Sequence, residues 1–138
     1  MLLIGELRNE LSQIAYPDES RHGYSADKLI REEVAFFVTR VDGSPAGCGG
    51  LKLFGTDYGE VKRMFVRPQF RGNGLGKLML DRLTDFSLEN NVNTLRLETG
   101  IYQEAAIQLY ERYGFKRRDP FGEYKLDPLS VYFEKQIR

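Results

Sequence analysis

Between Val66 and Lys77 the chain reads Val66-Arg67-Pro68-Gln69-Phe70-Arg71-Gly72-Asn73-Gly74-Leu75-Gly76-Lys77, three glycines among cations. Glycine lets a backbone approach a ligand closely. A loop that opens a helix also points unpaired N–H groups and the positive end of the helix dipole at whatever it meets. Residues 61–80 carry Lys62, Arg63, Arg67, Arg71 and Lys77 and no Asp or Glu, so the segment is a local anion site in a chain of zero formal net charge. Two common phosphate motifs fail on spacing. A P-loop needs glycine at position 71 and Ser or Thr after Lys77, where the chain has Arg71 and Leu78. The dinucleotide fingerprint needs a third glycine, and Lys77 or Met79 stands there instead, depending on the starting glycine. What remains is Arg71-x-x-Gly74-x-Gly76.

Such a loop needs a strand before it and a helix behind it, and the apolar period supplies both. Glu60 to Val66 reads as a strand closed by Arg67-Pro68, and Leu75, Leu78, Met79, Leu83 and Phe86 form one helical stripe ending at Asn90-Asn91. Upstream, Ala35 to Val41 and about Ala46 to Phe54 read as a hairpin across Asp42-Gly43-Ser44-Pro45, and Gly55 to Gly59 turns into the third strand. Downstream, Thr94 to Glu98 is a strand parallel to the third, and Glu104 to Tyr113 is a helix ended by Gly114. Phe115 to Arg117 and Ser130 to Glu134 are the last strands, with Pro120 and Pro128 confining the segment between them to a loop. At the amino end, Leu3, Leu7, Leu11 and Ile14 recur at helical spacing up to Pro17. Tyr16 to Tyr24 is a polar loop, and Ser25 caps a short helix through about Arg31. The predicted class is α+β: one domain over residues 1–138, with a mixed central sheet, antiparallel strands first, a parallel pair at the glycine loop, and flanking helices.

Composition narrows the function. Lys+Arg and Asp+Glu number 20 each, so no global field recruits nucleic acid or an anionic membrane. One cysteine, Cys48, and one histidine, His22, cannot build a zinc cage, and no metal is expected. A polar amino terminus and the absence of an apolar run of about 18 residues lead to the expectation of a cytoplasmic protein. Cys48, flanked by glycines in a strand, reads as a small packing residue rather than a nucleophile.

The loop, together with Met64-Phe65-Val66-Arg67-Pro68 before it and Ala106-Ile107-Gln108-Leu109-Tyr110-Glu111-Arg112-Tyr113-Gly114-Phe115 after it, resembles the GNAT superfamily of acyl-CoA-dependent N-acetyltransferases in order and spacing. The resemblance covers about residues 35 to 135. It implies that Met64, Phe65 and Val66 hold the pantetheine and acetyl carbonyl of acetyl-CoA, that Arg71, Gly72, Asn73, Gly74, Leu75, Gly76 and Lys77 wrap the pyrophosphate, and that Gln103 stands where the family often has Asn, seven residues before the tyrosine. Tyr110 matches the family tyrosine that protonates the departing thiolate; on its own spacing it is equally a core aromatic. Glu60 matches a position where many members carry a base, although beside a turn it also reads as a solvated carboxylate.

Glu98 is a second candidate base, with an acceptor contact or a structural ion pair as the alternatives. His22 has the pKa for base chemistry. Tyr16, Glu19, His22, Glu98 and Tyr124 are the expected acceptor contacts, and Phe121 to Leu129 is either a cover on that pocket or a rigid connection between strands. The expected activity is transfer of acetyl from acetyl-CoA to a primary amine of a small molecule by direct attack in a ternary complex. An enzyme acting on a protein or peptide amine and a non-catalytic CoA-binding sensor are the alternatives. A homodimer is an extrapolation from the family, resting on an open sheet edge should the first family strand be missing. The acceptor, and acetyl against a longer acyl donor, stay open.

Overall fold

The computed structural model describes residues 7–9 and 34–138. Ala35–Val41 (β2) and Ser44–Phe54 (β3) are joined by Asp42 and Gly43 alone, both at positive φ (49° and 82°). A tight two-residue turn of this kind matches the twist of the strands it joins. The predicted four-residue turn is therefore shorter, with Ser44 paired to Val41 and Pro45 to Arg40. Tyr58–Val66 (β4) runs antiparallel to β3, Thr94–Gly100 (β5) parallel to β4, Ser130–Gln136 (β7) antiparallel to β5, and Lys116–Arg118 (β6) along β7. Leu7–Asn9 (β1) pairs antiparallel with β2, completing the order β1-β2-β3-β4-β5-β7-β6. The helical reading around Leu7 is thus corrected. These residues form a ladder on β2, and the sheet edge that motivated a covering partner is occupied. The rest of the predicted first helix, the Tyr16 to Tyr24 loop and the short helix after Ser25 lie outside the described residues.

Leu75–Glu89 (α1) and Glu104–Tyr113 (α2) cover one face of the sheet, their apolar sides over Phe37, Leu51, Val61, Leu95, Leu97 and Phe133. Leu80 is fully buried, although the stripe read from the sequence omitted it; Leu78 and Phe86, which it included, are half-buried. The opposite face carries two smaller clusters, one of Val34, Phe36, Val38 and Cys48, the other of Tyr58, Phe121 and Tyr132.

An irregularity in β4 decides which way its end faces. Val61 and Met64 would point to opposite sides of a regular strand, yet both pack in the core beneath the helices. Between them Arg63 takes φ 55°, and the β3–β4 register skips between Cys48 and Gly50, so one residue is added and the alternation is reset. The Cys48 thiol donates to the Arg63 carbonyl at 3.3 Å, across this bulge. No helix among the described residues is long and apolar enough to cross a membrane.

Candidate active site

Strands β4 and β5 are registered at Gly59–Leu95 and Glu60–Arg96, and from Val61 onward β4 leaves β5. The split opens on the helix side into a cavity of about 470 Å³. Met64, Phe65 and Val66 form its strand wall, Arg71, Gly72, Gly74, Leu75, Gly76 and Lys77 its loop wall, and Gln103, Ala105, Ala106, Leu109, Tyr110, Arg112 and Tyr113 its α2 wall. All but one of the residues expected to touch the donor therefore line one space. The exception is Asn73, whose amide donates to the carbonyls of Phe70 (3.1 Å) and Arg71 (3.4 Å) and so shapes the loop from behind.

The three loop glycines do different work. Gly72 and Gly74 stand at φ 83° and 77°, in the left-handed region, with open space where a Cβ would be. Gly76 lies inside the helix, where a Cβ would come within 2.6 Å of Leu109 Cδ2, so its lack of a side chain lets α1 and α2 meet. No acidic residue occupies the first turn of α1, and its dipole faces the cavity uncompensated. Arg71 Nε donates to the Val66 carbonyl at 2.8 Å and its guanidinium lies 5.4 Å from the centre of the Phe65 ring, tying the loop to the end of β4.

Of the cations in residues 61–80, Arg71 and Lys77 line the cavity. Arg67 instead donates to the Pro45 carbonyl at 3.1 Å, and Lys62 lies 3.9 Å from Glu60. Arg112 adds a cation from α2, which loop-centred reading missed; its place one turn after Leu109 was the available signal. Tyr113 also lines the cavity. It donates to Asp81 at 2.6 Å, Lys77 reaches the other oxygen of Asp81 at 3.0 Å, and burial together with Asp81 pushes the Tyr113 phenol up to about 12.

Tyr110 closes the inner end. It is buried, its ring stacked edge-on against Phe115 at 5.7 Å and tilted against Phe133 at 6.1 Å, and no described residue hydrogen-bonds its hydroxyl. Burial raises its pKa, so the phenol keeps its proton throughout the neutral range and stays a donor.

Glu60 is not among the residues lining this cavity. It stands at the last registered pair before the split and is buried, which corrects the solvated reading. Its Oε2 accepts from the Tyr124 hydroxyl at 2.5 Å. Burial raises its carboxyl above the usual range, opposed by Tyr124, Lys62 and Lys52. Glu98 accepts from Ser130 Oγ at 2.6 Å and also lies outside the cavity lining. Tyr124 meets Glu60 but not Tyr110; Tyr16, Glu19 and His22 lie outside the described residues.

A cavity lined by a glycine loop at a helix N-terminus, by cations, by apolar walls and by a protonated phenol fits a long acyl carrier with a phosphorylated head. The class to which fold and site point is an acyl-CoA-dependent transferase. The sequence profile of the Acetyltransferase (GNAT) family matches residues 4–115, and the chain belongs to that family: it is an N-acetyltransferase. Over 136 residues it is 42% identical to an IAA acetyltransferase of Azospirillum brasilense, covering 98% of this chain and 88% of that one. The crystal structure of a Klebsiella pneumoniae protein assigned as an acyl-CoA N-acyltransferase is 38% identical and superposes with a TM-score of 0.80 over 88% of this chain and 84% of that one. A GNAT family acetyltransferase from Elizabethkingia anophelis, crystallised with acetyl-CoA bound, shares the fold at 16% identity and a TM-score of 0.75 over 96% and 97% of the two chains.

Proposed function

We propose that this enzyme, with residues 1–138 acting as one domain, transfers an acetyl group from acetyl-CoA to a primary amine of a small molecule within a ternary complex. The observation that carries the reading is the cavity in the β4–β5 split, which joins an anion-binding glycine loop to a buried phenol through a wall of unpaired strand edge. When bound, acetyl-CoA supplies a thioester whose C–S bond breaks as a C–N bond forms to the amine. The loop from Arg71 to Lys77 takes the pyrophosphate with its backbone donors, and Met64, Phe65 and Val66 direct the pantetheine arm along β4. Tyr110 donates its proton to the leaving sulfur, whose ordinary pKa of about 8.5 makes an unassisted thiolate a poor departure at neutral pH. Glu60 accepts the proton that the amine gives up. Most of the rate comes from holding the two reactants in register.

The β6–β7 connection favours a small acceptor over a peptide. Phe121 is buried and Tyr124 reaches Glu60, so this segment stands over the acceptor face where an open groove would be needed. The test is calorimetric titration with acetyl-CoA beside dephospho-CoA and ATP, followed by a screen of amines and amino-terminal peptides for release of free thiol. Micromolar binding of acetyl-CoA and turnover with small amines is the expected result. No binding at millimolar acetyl-CoA would overturn the donor site, and turnover with peptides alone would overturn the acceptor class.

A further inference from the structure

The segment between β6 and β7 is fastened to the sheet by contacts that the donor cavity does not require. Arg96 of β5 lies 4.4 Å from the Tyr58 ring centre and 5.8 Å from that of Phe121, and its Nε donates to Glu134 Oε1 at 2.7 Å. The same oxygen accepts from Arg118 at 2.6 Å, and the Arg118 guanidinium lies 5.8 Å from the centre of the Phe121 ring. A carboxylate shared by two guanidiniums and an aromatic ring held between cations make a clamp at the root of the segment. Tyr132 donates to the Lys125 carbonyl at 2.8 Å and closes the far side.

Tyr124 rides on this clamp, with its ring centre 5.2 Å from Phe121 and 5.7 Å from Tyr132, and its hydroxyl donating to Glu60 across 64 residues of sequence. The contact uses Oε2, and Oε1 makes no hydrogen bond to a described residue.

We propose that Tyr124 is a positioning residue of the reaction: held by the Arg96–Glu134 clamp, it fixes the Glu60 carboxylate through Oε2 at the point where β4 and β5 part, leaving Oε1 for the acceptor amine. The inference rests on the reading of Glu60 as the proton acceptor and adds what orients it. A phenol donating to a carboxylate favours the charged form, which the burial of Glu60 otherwise opposes. Among the described residues the other titratable or charged groups acting on Glu60 are Tyr58 and Lys62 on its own strand, Lys52 on β3, and Arg96 and Glu98 on β5, and Tyr124→Phe leaves each of them in the sequence.

The experiment follows the Glu60 carboxyl carbon by NMR in full-length, 13C-glutamate-labelled protein, the resonance being assigned by its loss in Glu60→Gln. Tyr124→Phe keeps the ring and deletes the hydroxyl. It should raise the proton affinity of Glu60 about tenfold, moving the midpoint upward by about one pH unit. In steady-state transfer from acetyl-CoA to the amine returned by the screen above, the acidic limb of kcat/KM should move upward with it. The affinity for acetyl-CoA should stay at the wild-type value, which also reports an intact fold. If Tyr124→Phe fails to fold, Arg96→Lys, which loosens the clamp, is read on the same resonance with the same expected sign. An unmoved Glu60 midpoint would overturn the positioning role alone. An acidic limb that survives Glu60→Gln would overturn the proton-acceptor reading and the inference with it.

Discussion

At the inner end of the cavity a single hydroxyl separates two accounts of Tyr110. As a core aromatic it contributes its ring, which Tyr110→Phe keeps against Phe115 and Phe133; as a proton donor it contributes the oxygen, which the same change removes. Turnover should fall about 100-fold with the acetyl-CoA Kd unchanged, measured by thiol release and by titration. Unchanged turnover would return Tyr110 to the core.

Glu60 yields a prediction of opposite sign in stability and activity. Because its folded carboxyl lies above the ordinary 4.5, the folded chain binds its proton more tightly than the unfolded chain, so the associated stability is present at low pH and lost as pH rises through the raised value. Glu60→Gln carries no charge and can still accept from Tyr124. It should melt about 3 °C above wild type at pH 8, with the difference gone below pH 4, while turnover drops. A lower melting point at pH 8 would mean that Lys62 and Lys52 stabilise the carboxylate more than burial costs it. The position of Glu60 was legible in the sequence, but its burial was not, since the partner that covers it comes 64 residues later.

Among the elements, the contact between α1 and α2 sets the shape of the loop wall, and Gly76 sets the contact. A methyl group there meets Leu109 at 2.6 Å, so Gly76→Ala must push the helices apart or turn Leu109 out of its rotamer. Overpacking of this kind costs about 1–3 kcal/mol, and it should weaken acetyl-CoA binding as well, because Gly76 and Leu109 line the same cavity. Trimming Leu109 to Val makes room. In denaturant unfolding the double variant should be less destabilised than the sum of the singles by about 1 kcal/mol, and strict additivity would show that the two do not press on one another. Both helices were legible from their apolar stripes, and α2 ends at the predicted Gly114. The bulge at Arg63 was not, because a positive φ at arginine follows from the β3 register and from no local residue preference. Nor was β1: Leu7 fits a helical stripe, and it is pairing with Thr39 that makes its segment a strand.

Across the whole molecule the sheet separates the two halves of the proposed site, the cavity lying under α1 and α2 and the Glu60–Tyr124 pair lying with the β6–β7 segment on the other side. The hairpin of β2 and β3 and the parallel pairing of β4 with β5 could be read from hydrophobic periods and turns, whereas the placing of β7 between β5 and β6 could not; nor could this division, since it depends on the alternation of β4 being reset at one residue. The two faces should then respond separately to ligand. Saturating acetyl-CoA at 100 times its Kd stabilises the folded chain by about 2.7 kcal/mol, which corresponds to a melting point about 8 °C higher. Amide hydrogen exchange should slow in peptides covering residues 61–66, 71–77 and 103–113, where strand edge, loop and α2 wall meet the carrier, beyond the general slowing that ligand binding imposes through global unfolding. Peptides covering residues 119–129 should show only that general slowing until an acceptor amine is added together with CoA, because their anchors are Arg96, Glu134 and Tyr132 rather than the cavity. Protection of residues 119–129 by acetyl-CoA alone, with 71–77 unaffected, would place the donor on the wrong face of the sheet and undo the assignment of both sites.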